Sequence, residues 1–334
     1  VARVYWRPII ADAGETGVPL AGGPLRFACA ERLERARPPE IVPASAIPDD
    51  IAAQLSAPRA LPATPHAPGL PLVMGIINST PDSFSDGGRH LAADAALAAA
   101  AAMVTAGADL IDVGAESTRP GAAPVAEAEE LARLAPLWPG LAALPVPISV
   151  DTRKAAVMAA GLAAGATIIN DVSALTHDAG AAAVVACAGA WVVVMHHQGT
   201  PATMQAAPHY DDVLLDVYDW LEGRIAAAVA AGIARTRIII DPGIGFGKTA
   251  AHNLALVRGL ALLHGLGVPI LFGASRKSLI SHVAGAVPVG NRLPGSLALA
   301  LAAAAQGAQL LRVHDVAETV QALKLWAATS PALA

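Results

Sequence analysis

Asp151, Asn170 and Asp241 each close a short run of aliphatic or β-branched residues in this 334-residue sequence. Carboxylate and amide groups in such number can form paired hydrogen bonds with the edge of a flat, donor-rich heterocycle. Other runs end in positive charge: Lys277 in Ser275 to Lys277, Arg312 with His314, and Arg119 just after the second run. Cations suit an anionic leaving group, whose charge they neutralise as it departs. Asn78, at the end of the first run, could ligate a hard cation such as Mg²⁺, which keeps waters and bridges phosphate oxygens. Singly, each of these residues reads as a strand-end turn or helix cap, and Asp171 and Glu116 are read that way here. Turns explain poorly why every run ends in polar groups when only 15% of the chain is charged.

Two motifs fail as sites. Gly243-Ile244-Gly245-Phe246-Gly247-Lys248-Thr249 resembles a phosphate-binding loop, but Pro242 stands where the first glycine belongs, and the spacing GxGxG is not the dinucleotide GxGxxG. Its glycines are expected to let backbone and Phe246 approach a flat ligand. His196-His197 is not a zinc site, because adjacent strand residues point to opposite faces and no partner lies at ligand spacing. His197 is read as structural, and Met195 as packing against a ring.

The elements that must position these residues follow from a repeated pattern: an Ala-rich helical stretch, a Gly, one or two small residues, then a short apolar run. It occurs at Gly107, Gly165, Gly189 and Gly307. A Gly there suits a left-handed helix C-cap, and a continuous apolar run suits a parallel strand covered on both faces. Leu72 to Ile77, Ile148 to Val150, Ile238 to Ile240 and Ile270 to Phe272 complete eight such runs. Eight strand-helix units between Leu72 and about Ala327 predict a (β/α)₈ TIM barrel, typically roughly 250 residues long, over an open doubly wound sheet. Such barrels carry their chemistry at the carboxyl ends of the strands, where these polar groups fall.

Residues 1–71 read as an appended N-terminal extension with a Pro-rich connector, leaving 72–334 for the barrel. Arg3 to Ile10 is expected as a strand, Ala28 to Ala36 as a helical turn or two, and Asp49 to Leu55 as a short helix. Too few apolar residues remain for a core of its own. Formal net charge −5, with 22 basic against 27 acidic residues, gives no footprint for nucleic acid or an anionic membrane. No apolar stretch reads as a transmembrane span. Two cysteines, Cys29 and Cys187, make neither a disulfide framework nor a thiolate cage, and a cytoplasmic protein with a small-molecule partner is expected. The loops Ser79 to His90 and Ser117 to Pro124 are rich in turn formers and are expected to close over substrate.

Over Leu72 to Trp326 the sequence resembles the dihydropteroate synthases of the pterin-binding family. The matching strings run from Met74 to Gly88, Gly114 to Gly121, Ser149 to Thr152, Ile169 to Ser173, Asp241 to Lys248, Ser275 to Ser278 and Arg312 to Val316. The resemblance implies a (β/α)₈ transferase of folate biosynthesis. It would condense 6-hydroxymethyl-7,8-dihydropterin pyrophosphate with p-aminobenzoate, with Mg²⁺ assistance, and form a homodimer. Carried over by position, it implies that Asp151, Asn170, Asp241 and Lys277 hydrogen-bond the pterin, with Met195 and Arg312 on its faces. Asn78, Arg312 and His314 would hold pyrophosphate and Mg²⁺. Phe84, Asp86, Thr118, Arg119, Pro120, Phe246, Lys277 and Ser278 would frame the p-aminobenzoate subsite. A corrinoid-dependent methyltransferase, similar in its pterin-binding acids, and a non-catalytic pterin-binding barrel are the rival readings.

Overall fold

The computed structural model describes residues 3–11, 16–64, 69–78, 88–117, 122–200, 203–330 and 333. Strands β1 (Val4–Ile10), β2 (Val18–Pro19), β3 (Arg26–Glu34) and β4 (Glu40–Pro43) form an antiparallel sheet, with β3 between β1 on one edge and β2 and β4 on the other. Helix α1 (Asp49–Ser56) follows, with Asp49 and Asp50 in its first turn, where the helix dipole favours anions. Two expectations are corrected here. Residues 28 to 36 are not helical: Ala28 to Glu34 lie within β3, held by pairing with β1 from Val4↔Glu34 to Ile9↔Cys29. Cross-strand partners, invisible in a local window, decide this over the helical preference of Ala and Glu. The segment also has a core, since Leu20, Ala21, Leu25, Phe27, Ala30, Ile47 and Leu55 are buried together, with Leu333 packed against them.

The barrel strands are β5 (Leu72–Asn78), β6 (Leu110–Gly114), β7 (Ile148–Asp151), β8 (Ile168–Asp171), β9 (Trp191–Met195), β10 (Ile238–Asp241), β11 (Leu271–Phe272) and β12 (Leu310–Val313). Between and after them run α2 (Gly88–Thr105), α3 (Glu127–Leu134), α4 (Trp138–Ala142), α5 (Ala155–Ala163), α6 (Ala181–Ala188), α7 (Val213–Ala230), α8 (Ala250–Arg258), α9 (Ser278–Ala284), α10 (Leu293–Ala304) and α11 (Val316–Thr329). All eight strands pair in parallel in the order β10-β9-β8-β7-β6-β5-β12-β11, and a parallel bridge between Ile240 and Ile270 joins the two ends. The expected (β/α)₈ barrel is the observed fold. Helix α6 ends where predicted, at Gly189 with φ 60°, a left-handed conformation that a side chain would strain.

Alternation along each strand sorts residues into barrel interior and helix-facing layer. Leu72, Met74, Leu110, Ile168, Trp191, Val193, Ile239, Leu271 and Leu310 cluster inside, so the barrel is plugged below its mouth. Val73, Ile111, Val150, Ile169, Val192, Ile240 and Leu311 belong to a separate cluster shared with the helices. The N-terminal sheet docks on the outside of this layer. Arg3 donates to Glu222, Arg35 donates to Asp216 and Asp219, and the Tyr5 hydroxyl donates to Asp219, all on α7. Gln54 and Arg59 donate to the carbonyls of Gly265 and His264 in the 3₁₀ segment Leu260–Leu266. Among the described residues, no helix is long and apolar enough to cross a membrane.

Candidate active site

Two steps along a strand return a side chain to the same face, and this sets the mouth above the apolar plug. Asp112 follows Leu110, Asn170 follows Ile168, Asp241 follows Ile239, Met195 follows Val193 and Arg312 follows Leu310, each on the inward face. Asp151 lies beside Gly114 and Asn170 in the strand register. A cavity of ≈ 820 Å³ opens over them, lined by Asn78, Asp151, Asn170, Met195, Asp241, Phe246, Lys277, Ser278, Arg312 and His314 among others. The structure therefore gathers these ten expected residues around one space. Phe84, Asp86, Thr118, Arg119 and Pro120 lie outside the described residues, as does most of the two loops expected to close.

Arg312 organises the floor. Its Nε donates to Asp112 Oδ2 at 2.6 Å and its Nη2 to Asp151 Oδ2 at 2.8 Å, while Asn170 Nδ2 donates to the same Asp112 oxygen at 3.1 Å. The other carboxylate oxygens, Asp112 Oδ1 and Asp151 Oδ1, are buried and accept no hydrogen bond from any described residue. Burial raises the pKa of Asp151 above the usual carboxylate range; Arg312 opposes that rise and the nearby Asp112 adds to it. Burial likewise raises Asp241, against the pull of Lys277 and the backbone N–H of Gly243. For Arg312, burial disfavours the charge, but Asp112 and Asp151 more than offset it and the guanidinium stays charged.

Lys277 approaches from the opposite side. Its ammonium donates to the Ile244 carbonyl at 2.6 Å and sits 4.7 Å from the centre of the Phe246 ring. Burial lowers its pKa to about 8, although Asp241 pulls in the other direction. His314 Nδ1 lies 3.0 Å from the Ser275 hydroxyl. Glu116, at the cavity edge, accepts from Arg153 at 2.9 Å, Lys154 at 3.1 Å and the Val125 N–H at 3.1 Å, so it fastens the two ends of the loop after β6. Asp171 points away from the cavity and accepts from the N–H groups of Ser173 and Leu175, the turn role expected of it.

Two residues of this constellation escaped sequence reasoning. Asp112 sits inside an apolar run, not at its end; the usable signal was its even spacing from Leu110, which places a carboxylate on an interior face and demands a buried partner. Lys248 looked like part of a failed phosphate loop, yet it is only 3% exposed and faces His196. No sequence signal pairs those two, since they lie on separate strand-loop units.

The fold and this mouth define a (β/α)₈-barrel enzyme built to hold a small polar molecule. Residues 74–314 match the model of the pterin binding enzymes, and the chain belongs to that family. It is 49% identical over 260 residues to the dihydropteroate synthase of Escherichia coli strain K12, an alignment covering 78% of this chain and 92% of that relative. The structure of Xanthomonas albilineans dihydropteroate synthase with 4-aminobenzoic acid is similar at TM-score 0.73 and 51% identity, covering 78% of this chain and 93% of the other. That of the same organism's enzyme with 7,8-dihydropteroate is similar at TM-score 0.71 and 48% identity, with the same two coverages.

Proposed function

We propose that this chain is a transferase of folate biosynthesis that joins 6-hydroxymethyl-7,8-dihydropterin pyrophosphate to p-aminobenzoate, giving 7,8-dihydropteroate and pyrophosphate. The observation that carries this reading is the unpartnered buried oxygen of Asp151, a carboxylate that lines the cavity. Buried acceptors are costly unless something donates to them, and the N–H-rich edge of a pterin is such a donor. Asp151, Asn170 and Asp241 bind that edge with Lys277, Met195 packs on the ring, and Arg312 lies over its other face. Loss of pyrophosphate leaves positive charge on the methylene next to the ring, and the floor carboxylates stabilise it without moving. Arg312 and His314 hold the departing anion. The aniline nitrogen then attacks from a subsite framed by Phe246, Lys277 and Ser278, together with Phe84, Asp86, Thr118, Arg119 and Pro120. No protein nucleophile is needed.

The residues fit a magnesium ion of the loosely held kind. Among the described residues no group of three or more His, Cys, Asp or Glu is placed to cage a metal, and Asn78 offers one neutral oxygen donor at the cavity edge. Mg²⁺ characteristically takes most of its ligands from phosphates and water. With Asn78 as its protein ligand, it would supply charge neutralisation for the leaving pyrophosphate.

The division into an extension, 1–71, and a synthase barrel, 72–334, belongs to this reading. A homodimer would use barrel helices that the extension leaves uncovered, and solution mass tests it. Free Cys29 and Cys187 suit a reducing, cytoplasmic setting. A coupled assay for pyrophosphate release, run with p-aminobenzoate added or withheld, tests the function. Release that depends on p-aminobenzoate is expected; release regardless of it, or none, removes the reading. Methyl transfer from methyltetrahydrofolate to a corrinoid protein would favour the methyltransferase instead.

A further inference from the structure

The glycine-rich segment between β10 and α8 is tied at almost every peptide. Gly243 N–H donates to Asp241 Oδ1 at 2.7 Å, Gly245 N–H to Asn253 Oδ1 at 2.7 Å, and Phe246 N–H to the Gly243 carbonyl at 3.1 Å. The carbonyls of Gly245 and Gly247 accept from Gln205 at 2.6 Å and the Tyr210 hydroxyl at 2.7 Å. The remaining three carbonyls are divided between two lysines. Lys248 Nζ donates to those of Gly243 at 2.9 Å and Phe246 at 3.0 Å, and Lys277 Nζ to that of Ile244 at 2.6 Å. Lys248 also reaches across to β9, with its Nζ 2.7 Å from His196 Nδ1 and 3.3 Å from the His196 carbonyl. Backbone contact is so close that a Cβ at Gly243, where φ is +68°, would lie 1.8 Å from the His196 carbonyl oxygen.

We infer that Lys248 is a positioning residue: by fastening the 243–247 loop to the end of β9, it holds the Ile244 carbonyl and the Phe246 ring where they fix Lys277 in the cavity. Its Nζ takes the Gly243 and Phe246 carbonyls and Gln205 takes that of Gly245, which leaves the Ile244 carbonyl for the cavity lysine. The pterin floor has independent support, because Asp112, Asp151, Asn170 and Arg312 hold one another from β6, β7, β8 and β12. Asp241 and Lys277 also touch this loop and face the pterin, so loss of Lys248 weakens both ligands, p-aminobenzoate the more because the pterin keeps its contacts with these four residues. This rests on the functional reading above.

The test compares the whole enzyme with Lys248→Met and Lys248→Gln. Expected in both are at least a tenfold rise in KM for p-aminobenzoate and at least tenfold faster amide exchange at Gly245 to Gly247. The dissociation constant of 6-hydroxymethylpterin, by calorimetry, should rise by a clearly smaller factor than that KM, and Lys248→Gln should be the milder variant. Equal weakening of both ligands, unchanged loop exchange, a fall in Tm with normal KM, or insolubility of both variants would each overturn the inference. Failure of the functional reading shows in the unmodified enzyme, as missing p-aminobenzoate-dependent release, whereas the exchange measurement reads the loop without substrate.

Discussion

In the barrel mouth, Arg312 bridges Asp112 and Asp151 with the three side chains 21%, 0% and 10% exposed. On the outside, Arg3 and Arg35 of the N-terminal sheet meet Asp216, Asp219 and Glu222 with side chains from 27% to 48% exposed. Water screens the outer pairs, and each contributes about 0–1 kcal/mol. They orient the sheet on α7; Tyr5, buried in the helix-facing cluster of the barrel, and the backbone carbonyls of 264 and 265 complete the attachment. The inner cluster gains little stability over an apolar filling, because stripping water from charges offsets most of their attraction. On the proposed function, charge retained in the mouth serves ligand recognition; charge outside holds the sheet against α7.

Substitutions in the two regions test that contrast. The largest effect is expected for Arg312→Ala, which leaves two buried carboxylates without their cation: kcat/KM for the pterin pyrophosphate should fall at least a hundredfold, in steady-state assays. Asp151→Ala and Lys277→Ala should each lower the same constant at least tenfold, and wild-type kinetics in both would contradict the assigned pocket. The pH profile of kcat/KM should be bell-shaped. Lys277 must be charged to donate, so activity falls as pH rises through about 8, and Lys277→Arg should move that limb upward. Asp151 and Asp241 must be ionised, and since burial raises both, the acid limb should lie above the usual carboxylate range.

In the sheet the expectations reverse. Phe27→Ala empties the centre of a small core and should destabilise that module by about 3–5 kcal/mol, seen as faster proteolysis of residues before 72, with kcat/KM within twofold of wild type. Smallest is Arg35→Ala, which should cost less than about 1 kcal/mol, weaken further with salt and leave activity unchanged. A tenfold kinetic loss in either variant would tie the extension to the site and end the contrast.

The chain itself announced the barrel, because parallel strands covered on both faces must be continuously apolar and must end in something polar where they reach water. Asp151, Asn170, Asp241 and Arg312 were legible for that reason. Asp112 was hidden because it sits within an apolar run, where only strand register reveals a carboxylate aimed inward. The 28–36 segment departs from its local helical preference because β1, twenty to thirty residues earlier, and β4, just after it, pair with it from either side, and β structure depends on that pairing more than on local preference. Within the barrel, local composition thus determined which residues are strand, helix and strand end. Tertiary structure alone decided which acids share one arginine, that Lys248 reaches His196 from the next strand-loop unit, and where the N-terminal sheet lands. Those outcomes depend on distances between residues far apart in sequence, which no local pattern encodes.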